Sequence, residues 1–166
     1  MKRTTATVAF VAAMSAASSH AATRDESATT GKTEITALVQ TFQDAIARKD
    51  GEGLKALFLP QGSNWWSVLD DDSYAAVRSR RAEAVRAQPG DLEKFARFIS
   101  TSNKATREDF SHVRIETDGL VGTVYFDYAF FLGGRQTNHG VETWQLLKTD
   151  AGWRISGLVY SERDDK

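Results

Sequence analysis

The sequence predicts an α+β domain: N-terminal helices packed on one face of a curved antiparallel β-sheet meander. Three observations predict it. Apolar residues recur at helical spacing through the first half of the chain, and from about Phe110 onward they alternate with polar ones. The breaks in the second half fall at Asp118-Gly119, Gly133-Gly134 and Asp150-Ala151-Gly152, each suited to a tight connection between antiparallel strands. Helices first and strands afterwards require the helices to cover one sheet face. The 166 residues suffice for one domain with a real core, and no internal repeat or second domain is visible.

Residues 1–21 read as a secretory signal. Lys2 and Arg3 give the positive start, residues 8–13 the apolar stretch, and Ser19-His20-Ala21 the cleavage site. The apolar stretch is too short to span a bilayer. Cleavage leaves 19 basic and 22 acidic side chains, a formal charge of −3, from the 21 and 22 of the whole chain. The chain has no cysteine, which excludes disulfides, a cysteine nucleophile, cysteine-ligated metal sites and a lipoprotein anchor. A soluble periplasmic or secreted protein, without membrane insertion after cleavage, is the reading. Residues 22–32 are polar and aperiodic and read as a flexible leader, followed by a single domain over 33–163 and a tail over 164–166.

The elements follow in order. Ile35, Leu38, Val39, Phe42 and Ile46 define an amphipathic helix, with Thr33 placed to cap it and Asp50-Gly51 to end it. Leu54, Leu57 and Phe58 mark a shorter helix stopped by Pro60. Residues 64–68 form a short strand, and Asp70, Asp71, Asp72 and Ser73 announce a helix predicted over 74–88 and closed by Pro89-Gly90. Leu92, Phe95, Ala96 and Ile99 share one side of a further helix. Val113 and Ile115, then Val124, Phe126, Tyr128 and Phe130, then Trp144 and Leu146, then Trp153 and Ile155 mark four strands.

The first helix, the turn Asp50-Gly51-Glu52-Gly53, the segment Leu54-Lys55-Ala56-Leu57-Phe58 and the final hairpin from Trp144 to Ile155 together resemble the nuclear transport factor 2-like superfamily, over nearly all of 33–163. The resemblance implies a cone-shaped, cystatin-like roll with a pocket between helices and sheet; it does not imply an activity. Ketosteroid isomerases on this scaffold use a tyrosine donor, an aspartate base and a second, protonated acid. On the same anchors those positions fall at Phe42, at or beside Trp66, and at Glu142, so the resemblance keeps one acid of three and disfavours the isomerisation. A dehydratase would want an Asp/His pair, and only His112 and His139 remain after cleavage.

Glu142 and His139 are the candidate catalytic residues. Strand alternation points Asn138, Glu142 and Trp144 one way and His139 the other, which works against a dyad. Glu142 is either a lone acid in an aromatic cavity, with a raised pKa, or the partner of an arginine such as Arg135 or Arg154. Asp127 faces solvent if the row of Val124 to Phe130 faces the core, and the remaining aromatic face then suits dimerisation. Candidate ligand-binding residues are Glu142, Trp144, Tyr128, Tyr160 and one of Trp65 or Trp66.

Arg78, Arg80, Arg81 and Arg86 read as a solvated face rather than a nucleic-acid site, and no metal or cofactor constellation stands out. The sequence therefore predicts an exported binder of a small, partly apolar molecule, homodimeric through its sheet face. An isomerase- or dehydratase-like enzyme using Glu142 with Tyr128, Tyr160 or His139, and an interaction module with a filled pocket, stand as alternatives.

Overall fold

The computed structural model describes residues 12–165. The first half of the expected export signal, residues 1–11, lies outside the described residues. Ten elements follow: α1 (Ala12–Arg48), α2 (Gly51–Lys55), β1 (Asn64–Leu69), α3 (Asp71–Arg80), β2 (Ala87–Pro89), α4 (Leu92–Thr101), β3 (Thr106–Thr117), β4 (Val121–Leu132), β5 (Arg135–Thr149) and β6 (Gly152–Asp164).

The strands form one curved six-stranded sheet in the order β2-β1-β6-β5-β4-β3. β3 to β6 are the predicted antiparallel meander. The sheet as a whole is mixed, because β1 joins it parallel to β6, with Trp65 opposite Leu158 and Trp66 opposite Val159. An entirely antiparallel sheet is thus corrected: the strand read from Asn64-Trp65-Trp66 belongs to the helical half by sequence but returns to the last strand in space.

α1 lies along β3, and its apolar stripe of Ile35, Leu38, Val39, Phe42 and Ile46 meets the inward row of Val124, Phe126, Tyr128 and Phe130 from β4. Trp144, Leu146, Trp153, Ile155 and Leu158 complete this core. Of the two faces β4 could turn inward, the structure buries the row of Val124 to Phe130, and Tyr125 and Asp127 lie on the opposite face. Side-chain caps start the shorter helices: Asp50, Asp70 and Asp91 accept the backbone N–H groups of Gly53, Ser73 and Lys94 at 2.8–2.9 Å.

Three boundaries differ from expectation. Residues 22–32 are not a leader but part of α1, and Thr33 is no cap: it sits inside the helix with its hydroxyl donating to the Thr29 carbonyl. Gly31 permits this, since a Cβ there would stand 3.1 Å from Thr117 and 3.3 Å from Trp153, so the helix lies directly against the end of the sheet. The helix predicted over 74–88 stops at Arg80, α3 burying only Ser73, and residues 87–89 instead pair with β1 as an edge strand. Two residues of the expected tail are held by the fold: β6 runs to Asp164, and Asp165 donates its N–H to the Thr137 carbonyl.

Candidate functional site

Between α1, α4 and the inner face of the sheet lies a cavity of about 360 Å³. Phe42 from α1 and two acids, Glu108 from β3 and Glu142 from β5, form its deep end, and both acids are buried. Trp65, Phe95, Phe98 and Phe130 wall one side, and the phenols of Tyr128 and Tyr160 the other. Leu132, Thr137, Asn138, Glu162 and Asp164 complete the lining.

The site is a product of strand pairing. Glu142 stands opposite Phe126 on one side and Tyr160 on the other, so the sheet register alone fixes one acid among aromatic rings. Glu108 stands opposite Phe130, and Thr106, Glu108 and Phe110 share the inward face of β3. Beneath Glu142, the Trp144 ring is fully buried against Phe42 at 4.8 Å, Phe126 at 5.1 Å and Phe110 at 5.8 Å between centroids. Its indole Nε1 donates to Glu142 Oε1 at 2.5 Å, which orients the carboxyl group.

Burial dominates the electrostatics. It pushes the Glu142 pKa up to about 8 against the opposing effect of the Trp144 hydrogen bond. Glu108 is raised well above the usual carboxylate range, first by burial and then by repulsion from Glu142. The two acids therefore titrate as a pair, and near neutral pH the pair retains protons that exposed carboxyl groups would have lost. Glu162 is also raised, by burial and by the neighbouring Asp164. Both tyrosines are raised by burial and by the surrounding acids. Tyr128 donates its hydroxyl proton to the Ser161 carbonyl at 3.0 Å, and its ring meets Tyr160 edge to face at 5.8 Å.

Tyr128, Glu142 and Tyr160 come together here as expected, with Trp65 as the inward one of the two adjacent tryptophans, and Trp144 does not join them. Trp66 points to the outer sheet face, because adjacent strand residues alternate and Trp65 takes the inward position. Trp144 lies behind Glu142 as core and reaches the cavity only through that hydrogen bond. His139 is directed away from the pair, with Nδ1 facing Asp165 at 3.2 Å, so no His139–Glu142 dyad forms. Neither arginine considered as a partner for Glu142 pairs with it; Arg154 donates to the Trp153 carbonyl. Trp65 stacks on Phe58 at 5.7 Å while its buried Nε1 has no hydrogen-bond partner among the described residues.

Sequence reasoning missed Glu108. The alternation read from Val113 and Ile115 runs back to odd positions, and only the register shift between Ser111 and Arg114 turns Phe110 and Glu108 inward, leaving Val113 exposed.

No protein-family model matches the chain, and no curated protein matches it in sequence. Solved structures do match in fold. A nuclear transport factor 2-like protein of unknown function from Pseudomonas putida KT2440 has a TM-score of 0.60 at 11% identity, covering 82% of this chain and 89% of that one. A nuclear transport factor 2-like protein with a cystatin-like fold from Novosphingobium aromaticivorans gives 0.57 at 14%, over 81% and 83%. A candidate dehydratase of that family from Streptomyces avermitilis gives 0.57 at 16%, over 81% and 97%. The chain thus has the cystatin-like α+β fold of the nuclear transport factor 2-like structures, as the resemblance implied. The particular chemistry rests on its own cavity.

Proposed function

We propose that this chain is an exported small-molecule-binding protein whose ligand occupies the aromatic cavity, and that it works as a homodimer through the outer sheet face. The observation that carries the reading is the open volume of about 360 Å³ with aromatic walls and two buried acids at its deep end. Apolar walls with a few convergent polar groups are the usual composition of a ligand site. An unfilled cavity of this size counts against an interaction module packed shut by its own side chains. The absence of a hydrogen bond from Glu142 to a tyrosine or histidine counts against the enzyme reading that relies on such a partner.

Export is supported by where the core begins. Cleavage after Ala21 would remove part of α1 and keep every described core residue, the first of which is Ile35. Dimerisation is supported by the outer face, where Trp66, Val159 and Tyr125 are all partly exposed.

The neutral fluorescent dye N-phenyl-1-naphthylamine tests the cavity. It is expected to bind with saturable enhancement, and Thr137→Trp, which puts an indole in place of a lining side chain, to abolish the enhancement while the circular dichroism spectrum is unchanged. Undiminished dye binding by Thr137→Trp, or no binding by the native chain, overturns the reading.

A further inference from the structure

The charged groups lining the cavity are all acids. Glu108 and Glu142 stand at its deep end and Glu162 and Asp164 complete the acid set, whereas no lysine, arginine or histidine among the described residues lines it. Nearby basic groups are engaged elsewhere: Arg163 faces Asp70, Lys55 pairs with Glu52 and Glu93, and Lys49 donates to the Ser102 carbonyl. Two acids of one sign, buried together without a cation, repel each other and lose hydration at the same time. Apart from Leu132, Thr137 and Asn138, the remaining walls are rings whose π faces carry partial negative charge.

Each ligand class meets these walls differently. An anion would face four acids and no donor cation. A neutral molecule could share hydrogen bonds with a protonated carboxyl but would leave the acid pair uncompensated once ionised. A cation relieves the repulsion between Glu108 and Glu142 and gains attraction to the ring faces as well.

We propose that the cavity selects an organic cation, an ammonium group on an apolar or aromatic body, with the cationic nitrogen beside Glu108 and Glu142 and the body among Phe42, Phe95, Phe130 and Trp65. This rests on the ligand-binding reading above and adds the ligand's chemical class.

The proposal has a pH consequence that follows from all the ionisable groups facing the site. These are Glu108 on β3, Tyr128 on β4, Glu142 on β5, and Tyr160, Glu162 and Asp164 on β6; α1, α4 and β1 present only aromatic rings. Burial and mutual repulsion hold the deep acids protonated to higher pH than exposed acids, so a permanently charged ligand must displace protons to bind. Its affinity rises with pH, and binding releases protons.

The experiment uses three probes displacing N-phenyl-1-naphthylamine from the native chain: benzyltrimethylammonium, its uncharged carbon isostere neopentylbenzene, and phenylacetate. At about pH 8 the cation is expected to bind about ten-fold or more tightly than the isostere, with no binding of phenylacetate. Its affinity is expected to rise about ten-fold from about pH 6 to about pH 8.5 while the isostere's changes less than about two-fold. Glu108→Gln and Glu142→Gln are each expected to lower cation affinity about ten-fold and leave the isostere unaffected. If either variant does not fold, the three-probe ranking on the native chain decides alone. Isostere or phenylacetate binding as tightly as the cation overturns the cation assignment while the cavity reading stands. Dye binding with none of the three probes has the same meaning. No binding of any probe or of the dye removes both.

Discussion

At the scale of single residues, the cost of holding Glu108 and Glu142 inside the domain is the dominant electrostatic feature. A carboxyl group whose pKa is higher in the folded chain than in the unfolded one keeps its proton better when folded. Its contribution to stability is intact below the unfolded value of 4.5 and is lost as pH climbs toward the folded value of about 8. At about 1.4 kcal/mol per pH unit, Glu142 alone weakens folding by roughly 3–5 kcal/mol across that window. Glu142→Gln keeps an oxygen that accepts from Trp144 Nε1 but cannot ionise. The variant is expected to be within about 1 kcal/mol of the native chain near pH 5 and about 2–4 kcal/mol more stable near pH 8. Urea titrations at the two pH values check this, and parallel pH profiles for variant and native chain would contradict it. Glu142 was legible in the sequence because its alternation with Trp144 ran through a well-marked strand. Glu108 was not, because Thr106 and Glu108 are polar residues on an inward face, which hydrophobic alternation cannot register.

At the scale of elements, the close approach of β5 and β6 under the cavity depends on Gly140. A Cβ at this position would stand 2.0 Å from the Ser161 carbonyl oxygen, a backbone atom that cannot turn aside. Gly157, on β6 with an ordinary backbone conformation, meets nothing nearer than 3.5 Å. Gly140→Ala is therefore expected to destabilise by about 2–3 kcal/mol and Gly157→Ala to stay within about 0.5 kcal/mol, measured by thermal unfolding of the two variants side by side. Equal effects would mean that β5 and β6 can separate locally at no cost. The same contrast explains which elements the sequence disclosed. α4 and the four-strand meander carry periodic apolar faces and tight turns, so local pattern and tertiary role agree. The parallel pairing of β1 with β6 joins segments about ninety residues apart, and nothing local encodes a partner at that distance. β2 is three residues of Ala-Gln-Pro that become a strand only because β1 offers an edge. The stretch of α1 before Ile35 was hidden for a related reason: from Arg24 onward it buries only Gly31, a residue that reads as a helix breaker until its neighbours are known.

At the scale of the whole molecule, the sheet has one face committed to the core and the cavity, and the other left to an unassigned contact. Across that outer face the register sets Trp66 beside Val159, Val159 beside Thr143 and Thr143 beside Tyr125, a row running through β1, β6, β5 and β4. Tyr125 carries the Arg114 guanidinium over its ring at 4.3 Å, which extends the row to β3. Trp66 and Val159 are 43% and 46% exposed and adjacent at the β1 end of the row, where a symmetric contact across that end would bury both. A second copy placed on this face would leave the cavity untouched, since Trp65 and Trp66 point to opposite sides of the same strand. Sedimentation velocity at about ten micromolar is therefore expected to give a dimer for the chain beginning at Ala22. Trp66→Glu and Val159→Lys are each expected to give a monomer whose dye affinity stays within about two-fold and whose loss of stability at low concentration is under about 1 kcal/mol, because neither side chain supports the core. A native chain that sediments as a monomer at that concentration would remove the dimer from the proposal. Variants that lost both the dimer and dye binding would instead require the partner copy to hold the cavity open, tying two features that the sheet register places on opposite faces.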